Sequence, residues 1–172
     1  MAIRIRALKL QAVTICIHYA DYLEPMMGNG RLFDRWVVMT VPGDAATVAL
    51  CERHGVEVRF SRVLQVDGRD FDAAYHKAAV INEGLARLDP DGWALIVDAD
   101  VLLPRHFRER LAALPLEAGC LYAVAGRRVC EDRESLECGK WGRAVNREFP
   151  FRRAFGFAVF LACDAYTQLP PD

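Results

Sequence analysis

Four short β-rich runs, Val13–Ile17, Trp36–Val41, Val56–Phe60 and Trp93–Val97, are separated by stretches with helical patterning and bounded by turn residues. Strands that alternate with helices call for crossover connections, and crossovers place the strands parallel in one sheet covered by helices. Trp36-Val-Val-Met-Thr-Val41 is apolar at nearly every position, the pattern of a strand buried on both faces. The expected fold class is therefore α/β, a three-layer sandwich with a mostly parallel central sheet.

The intervening segments carry their own stop and start signals. Asp44 follows Pro42-Gly43 as an N-cap for a helix over 45–54, which Gly55 ends. Ala74, Ala78, Ile81, Leu85 and Leu88 recur at helical spacing and predict a helix over 73–88, broken at Asp89-Pro-Asp-Gly92. Residues 21–33 are amphipathic but interrupted by Gly28-Asn29-Gly30, and residues 61–70 are polar and turn-rich. Pro104 suits the opening of a further short helix. Residues 120–125 and 155–163 read as strands, with a charged, irregular segment over 127–153 between them.

With 172 residues, the chain suits a single domain spanning 1–172. Lys and Arg number 22 against 23 Asp and Glu, which argues against a broad nucleic-acid-binding face. No apolar run reaches the roughly 18–20 residues of a membrane span. The apolar stretch 12–17 behind the basic N-terminus is short and ends in His18, so it reads as a core strand and not as a signal peptide. Six cysteines contain no Cys-x-x-Cys pair, and the spacing of Cys130 and Cys138 lacks the paired geometry of a zinc site. Reduced, structural thiols in a cytoplasmic protein are expected.

In open α/β sheets, ligands bind at the carboxyl ends of the strands. Three polar clusters fall there: His18–Asp21, Pro42–Asp44 and Asp98–Asp100. Asp98-Ala99-Asp100 places two carboxylates two residues apart behind an apolar strand. If extended, they point to one side, and such a pair repels unless a cation or donors compensate. Mg²⁺ and Mn²⁺ prefer such oxygen ligands and bridge to phosphate. The plainer alternative is an acidic turn in which Asp100 caps the helix near Pro104.

The ordered set of motifs resembles the family-2-like glycosyltransferases of GT-A fold. The resemblance is carried by Phe33-Asp-Arg-Trp-Val-Val-Met-Thr40, by Ala46-Thr47 with Leu50-Cys51 and His54-Gly55-Val56, by Lys77-Ala-Ala-Val-Ile-Asn82-Glu-Gly84-Leu, and by Asp91 to Pro104. It covers about residues 12–115, with a weaker match at Gly156-Phe157. It implies a nucleotide-diphosphate sugar donor, with a UDP-sugar favoured, an unassigned acceptor, inversion at the sugar, and Mn²⁺ or Mg²⁺ as cofactor. Asp98 and Asp100 would serve the metal, with Asp98 alternatively on the ribose, and Ala99 would lie beside the donor. His18, Tyr19 and Asp21 would touch the nucleotide, Tyr19 by stacking and Asp21 as an acceptor, unless Asp21 is a helix cap. Asp44 is offset from the acidic base-reading residue of many members, so a base reader and a helix cap both stand. Lys77 would face the donor phosphates or else be a solvated lysine, and Asn82 is similarly open. His76 and His106 are expected at the surface.

The general base would come from a later segment, with Glu131, Asp132, Glu134, Glu137 and Asp164 as candidates. Three other readings compete. Ile96 to Leu102 fits the nucleophile motif of haloacid-dehalogenase-type phosphatases, using Asp98 and Asp100, but the downstream acidic pair of that family is missing. A sugar nucleotidyltransferase would need a glycine-rich loop after the first strand. A domain that binds a nucleotide sugar without transferring it is the third. The length is ample for a donor-binding core and tight for a whole transferase, so a minimal or C-terminally truncated enzyme, a partner subunit or a homo-oligomer is expected.

Overall fold

The computed structural model describes residues 8–63, 65–66, 69–70, 76–123 and 158–162. In chain order, the elements are β1 (Leu10–Ile15), α1 (Ala20–Leu23), a 3-10 segment (Glu24–Leu32), β2 (Arg35–Thr40), α2 (Ala45–Arg53), β3 (Glu57–Phe60), β4 (Gln65–Val66), β5 (Arg69–Asp70), α3 (Lys77–Leu85), β6 (Trp93–Val97), α4 (Phe107–Ala112), β7 (Leu121–Ala123) and β8 (Ala158–Ala162). Six strands form one sheet in the order β3-β2-β1-β6-β8-β7, and β4 and β5 form a separate antiparallel pair. The first four strands are mutually parallel, whereas β8 runs antiparallel to both β6 and β7. The expected α/β sandwich with a mostly parallel sheet is the observed architecture.

Period-two alternation divides the core into two layers. Leu10, Ala12, Trp36, Val38, Leu95 and Val97 face one side of the sheet, against the 3-10 segment, α2 and α4. Val13, Val37, Met39 and Ala94 face the other side, where α3 brings Val80, Ile81 and Leu85. β1 is buried from Leu10 to Thr14, including two polar residues, Gln11 and Thr14. A buried polar group without a partner costs about 1–3 kcal/mol, and both of these have one. Thr14 Oγ1 accepts from Trp36 Nε1 at 3.0 Å. The Gln11 amide donates to the carbonyls of Asp89 and Asp91 and accepts from the Asp89 amide. That side chain thereby ties the turn between α3 and β6 to the amino end of β1.

The observed boundaries shift for local reasons. β1 starts three residues before the expected Val13, because Leu10 pairs with Trp93 and its amide donates to Asp34 Oδ2. α3 spans Lys77–Leu85, shorter than the periodicity over 73–88 predicts; residues 71–75 lie outside the described residues. The amphipathic stretch after Asp21 becomes one turn of α-helix followed by nine residues of 3-10 helix, with Pro25 at its start and two glycines within it. Pro104 precedes α4 by a turn, its carbonyl accepting from the Phe107 amide. The irregular segment expected over 127–153 lies outside the described residues.

Cys16 and Cys51 are free, buried thiols, and Cys120 is free and exposed. Burial pushes the Cys16 thiol up and drives Cys51 to about 12. Neither forms a thiolate near neutral pH, which fits structural residues. Cys130, Cys138 and Cys163 lie outside the described residues.

Gly84 explains part of the motif on α3. A methyl group there would lie 2.5 Å from Val13 Cγ1 and 3.1 Å from Met39 Cγ, so the absent side chain sets how closely α3 approaches β1 and β2. Overpacking costs typically about 1–3 kcal/mol, and alanine recovers about 1 kcal/mol of helix propensity. Gly84→Ala should therefore lower the urea midpoint of unfolding despite being the better helix former, and Val13→Ala in the same chain should offset part of that loss.

Candidate functional site

The carboxyl end of β1 is shaped by one buried carboxylate. Asp44 is 2% exposed and caps α2, its Oδ1 accepting from the Thr47 amide at 3.1 Å. Its Oδ2 accepts from the His18 amide at 2.7 Å and from Thr40 Oγ1 at 3.0 Å. Burial alone would raise this carboxyl, but the hydrogen bonds from Thr47, His18 and Thr40 outweigh it and hold the group below the ordinary aspartate range. The bond to His18 holds a strained turn: His18 has φ of 58°, a left-handed conformation that costs a non-glycine residue about 1–2 kcal/mol. The cap reading of Asp44 is thus the observed one, and the same side chain joins the ends of β1 and β2.

The turn at His18 delivers Tyr19 and α1 to the surface. Tyr19 is 58% exposed and Tyr22 is 54% exposed, with ring centroids 5.4 Å apart. The Tyr19 carbonyl accepts from the amides of Tyr22 and Leu23. Asp21 lies in the first turn of α1, and Tyr19 holds the N-cap position, so the cap alternative for Asp21 is not the observed one. Tyr22 was not singled out in the sequence; its i+3 spacing from Tyr19 is the signal that places both on one helix face.

Asp98, Ala99 and Asp100 follow β6 directly, but not as an extended continuation. The Val101 amide donates to the Asp98 carbonyl at 3.3 Å and closes a turn, so strand periodicity does not orient the two carboxylates. Asp98 and Ala99 are half-buried, and Asp100 is exposed. Lys77, the first residue of α3, donates from Nζ to Asp98 Oδ1 at 2.9 Å. The cation that the acidic pair requires is therefore supplied in part by the chain itself. Asp100 does not cap α4: His106 occupies that position, with no side-chain cap bond. His106 is exposed beside Glu109, as its surface placement predicts.

The turn is also held from its far side. Asn29, in the 3-10 segment, donates from Nδ2 to the Val101 carbonyl at 2.8 Å and accepts at Oδ1 from the Leu103 amide at 3.0 Å. Its partners lie more than 70 residues away, so no local pattern could have revealed them.

Among the described residues, no group of three or more His, Cys, Asp or Glu side chains could hold a metal ion by itself. Asp98 and Asp100 do fit the mode in which one or two carboxylates hold Mg²⁺ or Mn²⁺ and substrate phosphate and water complete the shell. The general-base candidates Glu131, Asp132, Glu134, Glu137 and Asp164 lie outside the described residues. Among the described residues, no helix is long and apolar enough to cross a membrane.

Solved structures share this architecture. Mannosyl-3-phosphoglycerate synthase from Rubrobacter xylanophilus superposes with a TM-score of 0.57 at 19% identity, over 91% of this chain and 53% of that one. Glucosyl-3-phosphoglycerate synthase from Mycobacterium tuberculosis, in complex with uridine diphosphate, gives 0.56 at 15% identity, over 91% and 57%. The fold is of the GT-A type. A nucleotidyl transferase from Methanothermobacter matches as well, with a TM-score of 0.57 at 12% identity over 91% of this chain and 72% of that one. No family model and no curated protein sequence matches the chain. The GT-A core described here spans about half the length of the first of these structures.

The role of Asp44 is testable through stability. Asp44→Ala removes a cap, about 1 kcal/mol, and leaves the His18 amide and Thr40 hydroxyl without their acceptor, so a loss of about 2–4 kcal/mol is expected in denaturant unfolding. Because the folded carboxyl titrates below its unfolded value, its stabilisation is complete above the unfolded value, about 4, and is lost as pH falls through the folded one. Asp44→Asn should flatten that part of the acid limb; an unchanged limb would show that Asp44 carries none of it.

Proposed function

We propose that the chain is a metal-dependent, family-2-like glycosyltransferase that takes a sugar from a UDP-sugar donor and transfers it, with inversion, to an acceptor still to be identified. The observation that carries this reading is the Lys77–Asp98 ion pair at 2.9 Å, set at the carboxyl end of β6 next to β1 in a GT-A sheet. An ammonium and two carboxylates at that position suit a diphosphate and the cation that accompanies it. The glucosyl-3-phosphoglycerate synthase structure contains uridine diphosphate, which supports the choice of nucleotide.

In this reading, Tyr19 stacks on the base and Asp21 accepts from it. Asp44 acts through the His18 turn, which it holds, and not by contact with the nucleotide. Asp98 lies at the ribose and the metal, Asp100 at the metal, and Ala99 beside the donor. Lys77 shifts from Asp98 towards the diphosphate as that charge arrives. Asp98 and Asp100 would hold a divalent cation, which would supply Lewis-acid stabilisation of the departing diphosphate. The chain works on a dissolved donor in the cytoplasm. Nucleotidyl transfer on the same fold is less well supported, because Cys16-Ile-His-Tyr-Ala20 contains no glycine to cradle a triphosphate.

A thermal-shift panel of nucleotide sugars with Mn²⁺ tests the proposal. A UDP-sugar at 100 times its Kd should stabilise the fold by about 2.7 kcal/mol. Asp98→Asn and Asp100→Asn should each abolish the effect of Mn²⁺, and Lys77→Ala should weaken UDP binding about tenfold, the loss of one charge-assisted contact. If no nucleotide sugar moves the midpoint, the proposal fails. Stabilisation by a UDP-sugar without any release of UDP would instead favour a binding domain that does not transfer.

A further inference from the structure

The Asn29 side chain spends a buried amide on a segment that needs no polar group for packing. Its neighbours in the 3-10 segment, Met26, Met27 and Leu32, are buried and apolar, and Asn29 itself is only 2% exposed. Both ends of the amide are used. Nδ2 donates to the Val101 carbonyl and Oδ1 accepts from the Leu103 amide, so the side chain brackets Leu102 as a neighbouring parallel strand would. β6 ends at Val97, and the main chain of 101–103 forms no part of the described strands. A buried main-chain donor or acceptor must find a partner, and here one side chain serves two.

We propose that Asn29 is a positioning residue that fixes the Asp98–Asp100 turn for its metal; this rests on the metal reading above. Among the described residues, the turn has two attachments. On one side, the Lys77 ammonium holds Asp98. On the other, the clamp begins at Val101, the residue directly after Asp100, whose amide also closes the turn on the Asp98 carbonyl. Val101 therefore has its N–H in the carboxylate turn and its C=O on Asn29. Loss of the clamp frees the covalent neighbour of Asp100, and neither of its two hydrogen bonds reaches Tyr19, Asp21 or the β1 loop. The consequence is specific: Asn29 supports the metal-dependent part of nucleotide affinity and not the metal-independent part.

The test measures UDP affinity by calorimetry with Mn²⁺ and again with EDTA. The wild-type chain should bind more tightly with Mn²⁺. Asn29→Leu, which keeps apolar bulk and removes both hydrogen bonds, and Asn29→Ala should reduce that metal gain at least tenfold while affinity in EDTA stays within twofold. Met27→Ala, a packing change in the same segment, should keep the gain. Variants that keep the wild-type gain, or that lose both affinities by the same factor, overturn the proposal. A second measurement needs no variant: in the wild-type chain, exchange of the Leu103 amide should slow when UDP and Mn²⁺ bind, and unchanged exchange there overturns the proposal even if the Asn29 variants do not fold. A wild-type chain without any metal gain overturns the metal reading itself, a result seen before any Asn29 variant is made.

Discussion

Burial of β1 on both faces is the constraint from which the remaining structure follows. Residues 10–14 are all nearly inaccessible to solvent, with β2 on one side, β6 on the other and apolar layers above and below. A strand so enclosed can hold polar atoms only where partners are built in, as the Trp36 indole is for Thr14 and the 89–91 turn is for Gln11. It also requires close cover. Gly84 lets α3 approach Val13 to a distance that a methyl group would forbid. The chain can then place chemistry only at the ends of this strand and its neighbours.

Two aspartates at those ends show how environment assigns different roles to one residue type. Asp44 faces inward, receives three donors and is stabilised in its charged form, so it is committed to holding main chain. Asp98 is half-buried and answered by one flexible lysine. An exposed lysine pair of this kind is worth little in stability, typically below 1 kcal/mol, so it is readily exchanged for another cation or anion. Inward and satisfied means structural; outward and weakly paired leaves capacity for a ligand.

Much of this was legible in the sequence because the responsible interactions are local. The apolar runs, the Asp44 cap and the Gly55 stop, with φ of 65°, depend on neighbours within a few residues. Trp93–Val97 has the boundaries its pattern predicts. What was not legible depends on contacts across the chain. Asn29 stood only as part of the Gly28-Asn29-Gly30 interruption in an amphipathic stretch, because its partners are Val101 and Leu103. Lys77 could not be distinguished from a solvated lysine until α3 was placed against the end of β6. The Asp-x-Asp spacing left an extended pair and an acidic turn both open, and the chain turns there once β6 ends. The site was therefore readable as residue types and order, but not as partners.

The local charge balance favours a bound cation in the proposed reading. One ammonium from Lys77 against the carboxylates of Asp98 and Asp100 leaves these three side chains net negative. A nucleoside diphosphate bound beside them, as proposed, would meet repulsion that the single Lys77 ammonium could not reverse. Adding one divalent cation changes the sign of the same group of residues. Affinity for a diphosphate at this end should then depend on the cation far more than on any single side chain, while a base stacked on Tyr19 should not. In the proposed reading, the metal and the aromatic ring would divide the nucleotide between them, and the geometry of the Asp98–Asp100 turn would decide the larger share.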